Sequence, residues 1–222
     1  MKILLITFVL GISLSSENVY AVTVLNGSMN VSTAVDVQTF NAIQPDDWDD
    51  LFVGSSTDIF DATTSFNQFT WSPSSDGGTF VHGIGPVSSI PGEGIQQEIF
   101  GLTIGTTYQV NFEQSISWSN NAGQGDGGNW EVVFGSETKQ STFMSNPGSG
   151  VAFGWQDQSL SFTATAETQN LSFQVVPHTF GDRLSIGLDG VSISIIPIPT
   201  AIWLFGSGLI GLIGIARRKA RT

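Results

Sequence analysis

The sequence contains no cysteine. A disulfide framework, a thiolate metal site and a cysteine nucleophile are therefore all excluded. Positive charge is also scarce, with 7 Lys and Arg against 19 Asp and Glu in 222 residues. Lys2 stands at the N-terminus, and Arg217, Arg218, Lys219 and Arg221 crowd the C-terminus, so only Lys139 and Arg183 lie between. A body of that sign repels phosphate backbones and has no basic patch to release counterions, which excludes nucleic acid as a partner. Histidine is limited to His82 and His178, neither with a second His at ligand spacing, and this argues against zinc. No Gly-x-Ser-x-Gly elbow nominates a nucleophilic serine. The Ser-x-x-Lys spacing of Ser136 to Lys139 falls in a polar turn after a strand, not at the start of a buried helix, and reads as accidental.

What is present favours strands. Glycine is abundant at 26 residues, charge is sparse at 12%, and turn signals recur at 76–78, 103–107, 120–129 and 146–150. In "TYQVNFEQSISW", residues 107–118, Tyr108, Val110, Phe112, Ile116 and Trp118 alternate with polar residues, and Gln114 alone breaks the apolar face. That period of two predicts a strand with one covered face. The alternation returns at Trp130, Val132 and Phe134, at Leu160, Phe162 and Ala164, and at Leu171, Phe173 and Val175. Two more runs follow, Leu184, Ile186 and Leu188, then Val191, Ile193 and Ile195. No fixed repeat is present, which disfavours a solenoid or propeller. The expected fold is all-β, an antiparallel two-sheet jelly-roll sandwich over residues 22–195. Residues 55–70 lack periodicity and read as loop or a short strand pair.

The two ends differ from this body. Residues 1–21 carry one lysine, an apolar run from Ile3 to Leu14, and Val19 and Ala21 at the −3 and −1 positions of a cleavage site. This is the pattern of a secretory signal peptide, and it implies the Sec export machinery as a partner. Residues 196–222 form the third segment. From Thr200 to Ala216 there is no charge, and four basic residues follow within five positions. The stretch is long enough for a transmembrane helix, with Arg217, Arg218, Lys219 and Arg221 held on the cytoplasmic side.

"PIPTAIWLFGSGLIGLIGIARRK", residues 197–219, resembles the C-terminal sorting signal of PEP-CTERM proteins, in the variant whose motif is valine-proline-leucine-proline-alanine. A proline motif, a Trp-Leu-Phe-Gly-Ser-Gly run, a Gly-rich apolar stretch and an Arg-rich end occur in the family's order. Here Ile196, Ile198 and Thr200 stand in place of the usual Val, Leu and Ala. The resemblance implies recognition by an exosortase-type processing enzyme, with Pro197, Ile198, Pro199 and Thr200 as the sorting motif, and delivery to the cell surface or extracellular matrix. A permanent anchor through the same helix is the alternative.

The phrases "LNGSMN" at 25–30, "PDDWDDLFVGSSTDIF" at 45–60, "SSDGGTFVHG" at 74–83, "GIQQEIFGLTIGTTYQVNF" at 94–112 and "LSIGLDGVSI" at 184–193 resemble galactose-binding-like and carbohydrate-binding-module-like sandwiches. The resemblance implies binding of extracellular polysaccharide. It also implies a structural calcium between the first and last strands, for which Asn30 and Asp189 are the matching positions. Asn30 replaces the usual Glu, and Gly190 replaces a second Asp. Independently, "PDDWDD" with Asp46 and Asp49, and the Gly-rich stretch around Asp126, offer the hard oxygen ligands that calcium takes, or else are solvated acidic loops.

Sugar platforms would be exposed aromatic faces, and Trp48, Trp71 and Trp155 are the candidates, although a tryptophan taken singly is more often core, since aromatics carry much of a sandwich's buried area. No pair of carboxylates is marked as catalytic. Glu113 and Glu131, on the polar faces of neighbouring strand candidates, read as solvated surface. The chain is thus expected to be a non-enzymatic exported binding module, with a secreted carboxylate-pair glycosidase as the rival.

Overall fold

The computed structural model describes residues 22–32, 38–39, 44–55, 57–61, 71–85, 91–117, 126–148, 151, 153–177 and 185–196. The signal-peptide segment, the sorting motif, the apolar stretch and the basic tail lie outside them, as do Trp118 and Leu184. No helix among the described residues is long and apolar enough to cross a membrane.

Among the described residues twelve strands occur in chain order: β1 (Gln38–Thr39), β2 (Asp49–Asp50), β3 (Asp58–Asp61), β4 (Thr79–Ile84), β5 (Gly94–Phe100), β6 (Thr107–Ser117), β7 (Gly127–Phe134), β8 (Glu137–Gln140), β9 (Met144–Ser145), β10 (Gln156–Thr163), β11 (Thr168–Pro177) and β12 (Ser185–Ile195). They form two sheets with every strand pair antiparallel. The first sheet has the order β1-β3-β4-β12-β6-β10, and the second β2-β5-β11-β7-β8 with β9 added beside β7. The last strand is therefore central in its sheet.

The sheets meet through the alternating residues. Tyr108, Val110, Phe112 and Ile116 of β6 face Trp130, Val132 and Phe134 of β7 and Leu171, Phe173 and Val175 of β11 in one buried core. Phe112 and Phe173 meet edge to face at 5.1 Å, and Phe134 and Phe162 at 5.9 Å. Such contacts add to the area effect that holds two sheets together. The Trp130 Nε1 donates to the Gly187 carbonyl of the opposite sheet at 3.1 Å, so the one polar atom of this enclosed ring is satisfied.

Gln114, the break in the pattern, stays on the core side and is fully buried. Its Nε2 donates to the Thr142 carbonyl at 2.8 Å, and its Oε1 accepts the Ser141 hydroxyl at 2.6 Å.

The two runs expected at 184–188 and 191–195 are one strand. Its register against β6 shifts between Asp189 and Ser192, and Gly190 takes φ +62° there. The inserted residue restores the apolar face after Leu188, so Ile186, Leu188 and Val191 all enter the core. Residues 55–70 contain β3, which pairs with β4. Glu113 and Glu131 lie in different sheets, on β6 and β7, and not on neighbouring strands.

Candidate binding groove on the outer face of a sheet

The outer face of the first sheet carries two populations of residues. Toward β3 and β4 lies an aromatic cluster of Phe60, Trp71 and Phe80, with Trp155 packed against it. Phe60 stacks on His82 at 4.3 Å and 7°, and His82 Nδ1 is 2.9 Å from Asp58 Oδ2. Trp155 precedes β10; its Nε1 donates to the Ser72 carbonyl at 2.6 Å, and its ring meets Phe80 edge on at 5.1 Å. Gly187 makes this layer possible, because a Cβ there would come within 2.9 Å of Trp155 and 3.0 Å of Trp71.

Toward β10 the same face becomes polar. Asp189, Glu113 and Asp157 are direct partners across β12, β6 and β10. The adjacent row is Ser192, Asn111 and Ser159, again in register, with the Ser159 hydroxyl donating to Asn111 Oδ1 at 2.8 Å. Two loops stand over these rows as a wall. Ser74 Oγ donates to Asp189 Oδ2 at 2.5 Å, the Ser75 amide to Glu113 Oε2 at 2.9 Å, and Ser28 Oγ to Asp76 Oδ2 at 3.0 Å. Floor and wall enclose a groove of about 600 Å³.

The carboxyls of this groove are not equivalent. Asp189 is fully buried. Its pKa is pushed up to about 7, first by burial and then by the charges of Asp76 and Glu113, against the lowering effect of bonds from Ser74 and the Gly190 amide. It cannot touch a ligand in the groove. Asp157 is exposed and Glu113 half-buried, so both can.

Two of the candidate platforms are core residues. Trp48 is 4% exposed, packs at 6.1 Å from Phe173 and donates its Nε1 to the Asn26 carbonyl. Trp71 is 7% exposed, inside the aromatic cluster. Neither offers a ring face to solvent, because a sandwich of this size needs large side chains to close its core and the layer over Gly187. Trp155 is half-buried and stands two residues before Asp157, but it is not among the residues that line the groove.

The five calcium candidates are not gathered. Asn30 and Asp46 serve a corner in which the Asn26 side chain donates to both of their carbonyls at 2.7 Å. Asp49 lies exposed on β2, where its charge, after burial, helps to raise the pKa of neighbouring Asp50. Asp126 precedes β7, and its carbonyl accepts the Asn146 amide at 2.9 Å. Asp189 has both oxygens engaged, by Ser74 and by the Gly190 amide at 2.8 Å. Among the described residues no three or more His, Asp and Glu side chains are grouped so as to hold a metal ion.

Lys139 of the Ser-x-x-Lys spacing is also structural. It donates to the Ser161 carbonyl, lies 3.6 Å from Glu137 and sits 5.0 Å over the Phe162 ring. Sequence reasoning missed the groove residues Ser28, Asp76, Asn111, Ser159 and Ser192. The signal was the polar half of the β6 alternation, Asn111 and Glu113. The other groove residues come from distant parts of the chain.

No family model matches the sequence, and no curated protein matches it. Among solved structures, an arabinose-bound GH51 α-L-arabinofuranosidase matches at 16% identity and TM-score 0.51, over 83% of this chain and 28% of that one. The CBM22-1 xylan-binding domain of Paenibacillus barcinonensis Xyn10C matches at 8% identity and TM-score 0.43, over 74% of this chain and 99% of that domain. The CBM22-1–GH10 part of Clostridium thermocellum Xyn10B matches at 15% identity and TM-score 0.42, over 72% and 28%. This chain thus spans less than a third of the arabinofuranosidase and of that xylanase. The arabinofuranosidase match shows a shared fold and nothing more.

Proposed function

We propose that this protein is an exported, non-catalytic polysaccharide-binding module of jelly-roll type. The observation that carries the reading is the groove on the outer face of the first sheet. Its hydroxyl, amide and carboxylate groups sit in register on rigid strands. Fixed hydroxyl, amide and carboxylate groups of this kind suit a hydroxyl-rich ring. Asp189, whose pKa burial pushes up to about 7, is sealed from the groove and cannot serve as a general acid on a bound sugar there.

Delivery is the second part of the proposal. The N-terminal pattern supports Sec export, and the C-terminal resemblance supports sorting by an exosortase-type enzyme to the cell surface or matrix, with the tail as a transient or lasting membrane anchor.

The test is retention of soluble glycans by the full chain, followed with Asn111→Ala and Ser159→Ala. Retention lost in these folded variants supports the groove. Retention unchanged in both removes it, and release of sugar products abolished by Glu113→Gln would replace binding with hydrolysis. Intact mass of the surface protein tests delivery: a C-terminus within residues 197–200 supports sorting, whereas a mass running to Thr222 makes the tail an anchor.

A further inference from the structure

We infer that the groove is selective by charge, accepting polysaccharides that carry free amines over neutral ones and rejecting uronates, with Glu113 and Asp157 as the specificity-determining residues. The inference rests on the reading of the groove as the glycan site.

The floor of the groove is the starting point. Like charges placed directly opposite one another in a sheet are unfavourable, yet Glu113 is in register with Asp189 on one side and Asp157 on the other. Asp76 adds a further carboxylate from the wall. Its Oδ2 and Glu113 Oε2 both lie near the bulge, 4.0 and 3.9 Å from where a Cβ on Gly190 would stand. No described residue supplies a counter-charge. Lys139, the only lysine or arginine among the described residues, is tied to Glu137 and Ser161 at the edges of β8 and β10.

Burial pushes the pKa of Asp189 up to about 7, which reduces the charge of this member near neutral pH. Glu113, Asp76 and Asp157 all line the open groove. A ligand that neutralises them gains, and a ligand of their own sign loses. The row of Ser192, Asn111 and Ser159 runs one step along the strands beside the carboxylates. A simple polyamine would leave that row without partners. A sugar ring that carries both hydroxyls and an ammonium group uses both rows at once, and this points to a partly deacetylated amino-sugar polymer.

The size of the effect follows from exposed ion pairs, each of which changes an equilibrium by roughly 1.5- to 5-fold at low salt. Two or three such pairs give a preference of about tenfold, which shrinks as the screening length falls.

The experiment compares three probes on the full chain at low and at high salt, at a pH where the amines are protonated: a partly deacetylated chito-oligosaccharide, its fully acetylated counterpart and an oligogalacturonate. The expected order is amine-bearing, then acetylated, then uronate. Asp157→Asn and Glu113→Gln should each shrink the first preference about threefold, while Glu98→Gln, a matched neutralisation on the exposed face of β5, should leave it unchanged. Equal affinity for the amine-bearing and acetylated probes overturns the charge filter and leaves the glycan site standing. An equal loss in all three variants assigns the attraction to overall surface charge and also overturns it. Absence of binding to every probe overturns the glycan site itself.

Discussion

Gln114 and Ser141 are hydrogen-bonded at 2.6 Å between the two sheets, with Gln114 fully enclosed and Ser141 nearly so. The Ser141 hydroxyl also accepts the Trp130 amide at 2.9 Å, and the Gln114 amide donates to the Thr142 carbonyl. This chain of bonds fixes the segment after β8 over the edge of the core. Gln114→Leu restores the apolar pattern of β6 but strands the Thr142 carbonyl and one bond of Ser141. An orphaned buried polar group costs about 1–3 kcal/mol. The expected outcome is a loss of stability of about 2 kcal/mol, or a fall in Tm of about 4–8 °C for a domain of this size. Denaturant unfolding checks it, and a Gln114→Leu protein as stable as the parent would show that the network is not needed.

Asp189 gives the fold a pH dependence of definite sign. Its folded pKa of about 7 lies above the ordinary 3.8, so between these values the folded chain holds a proton that the unfolded chain has released. The stability contributed by this group is fully present below about pH 4, falls as pH rises toward 7 and is flat above that. The measurement is the denaturant midpoint across pH 5 to 8 for the parent and for Asp189→Asn. The parent should lose stability over this range and the variant should lose less, since an amide keeps a polar partner for Ser74 without the charge.

The apolar faces of the long strands were legible because each was written as a strict alternation that only a half-covered strand explains. Even the bulge left a trace, in the phase change from Leu188 to Val191. The two-residue strands β1, β2 and β9 left none, since no period can be read in two residues. Strand order was hidden for another reason: β12 pairs with β4 and β6, far away in sequence, and long-range pairing depends on the whole core. The groove was illegible on the same ground. Its wall takes Ser28 and Asp76 from loops, its floor Asn111, Asp157 and Ser192 from three strands, and no local motif joins them. Trp48 and Trp71 misled because their polar neighbours suggested loops, while Trp48 fills the core and Trp71 covers the face at Gly187.

Gly187→Ala probes that covering layer. The added methyl would press on Trp155 and Trp71 from the sheet below, at distances shorter than ordinary contact. Overpacking of this kind costs about 1–3 kcal/mol. The rings have the sheet beneath them, so relief comes by outward movement of Trp155. The expected result is a shift of tryptophan emission toward that of solvated indole together with weaker glycan retention. Unchanged emission with reduced stability would mean that the strain is taken up in the backbone of β12.

Trp48 and Trp155 separate folding from binding. Trp48→Ala empties a site in the core between the sheets and deletes the bond to the Asn26 carbonyl, so a loss of about 3–5 kcal/mol is expected. Protein that remains folded should still retain glycan, because the ring is remote from solvent. Trp155→Ala removes a half-buried ring two residues before Asp157 of the groove, and should weaken retention several-fold at a smaller cost in stability. Calorimetric titration at matched folded fraction distinguishes the two. The opposite pattern, with binding lost in Trp48→Ala and kept in Trp155→Ala, would move the sugar site from the outer face of the first sheet to the Asn26 corner, where the Trp48 Nε1 donates to the Asn26 carbonyl.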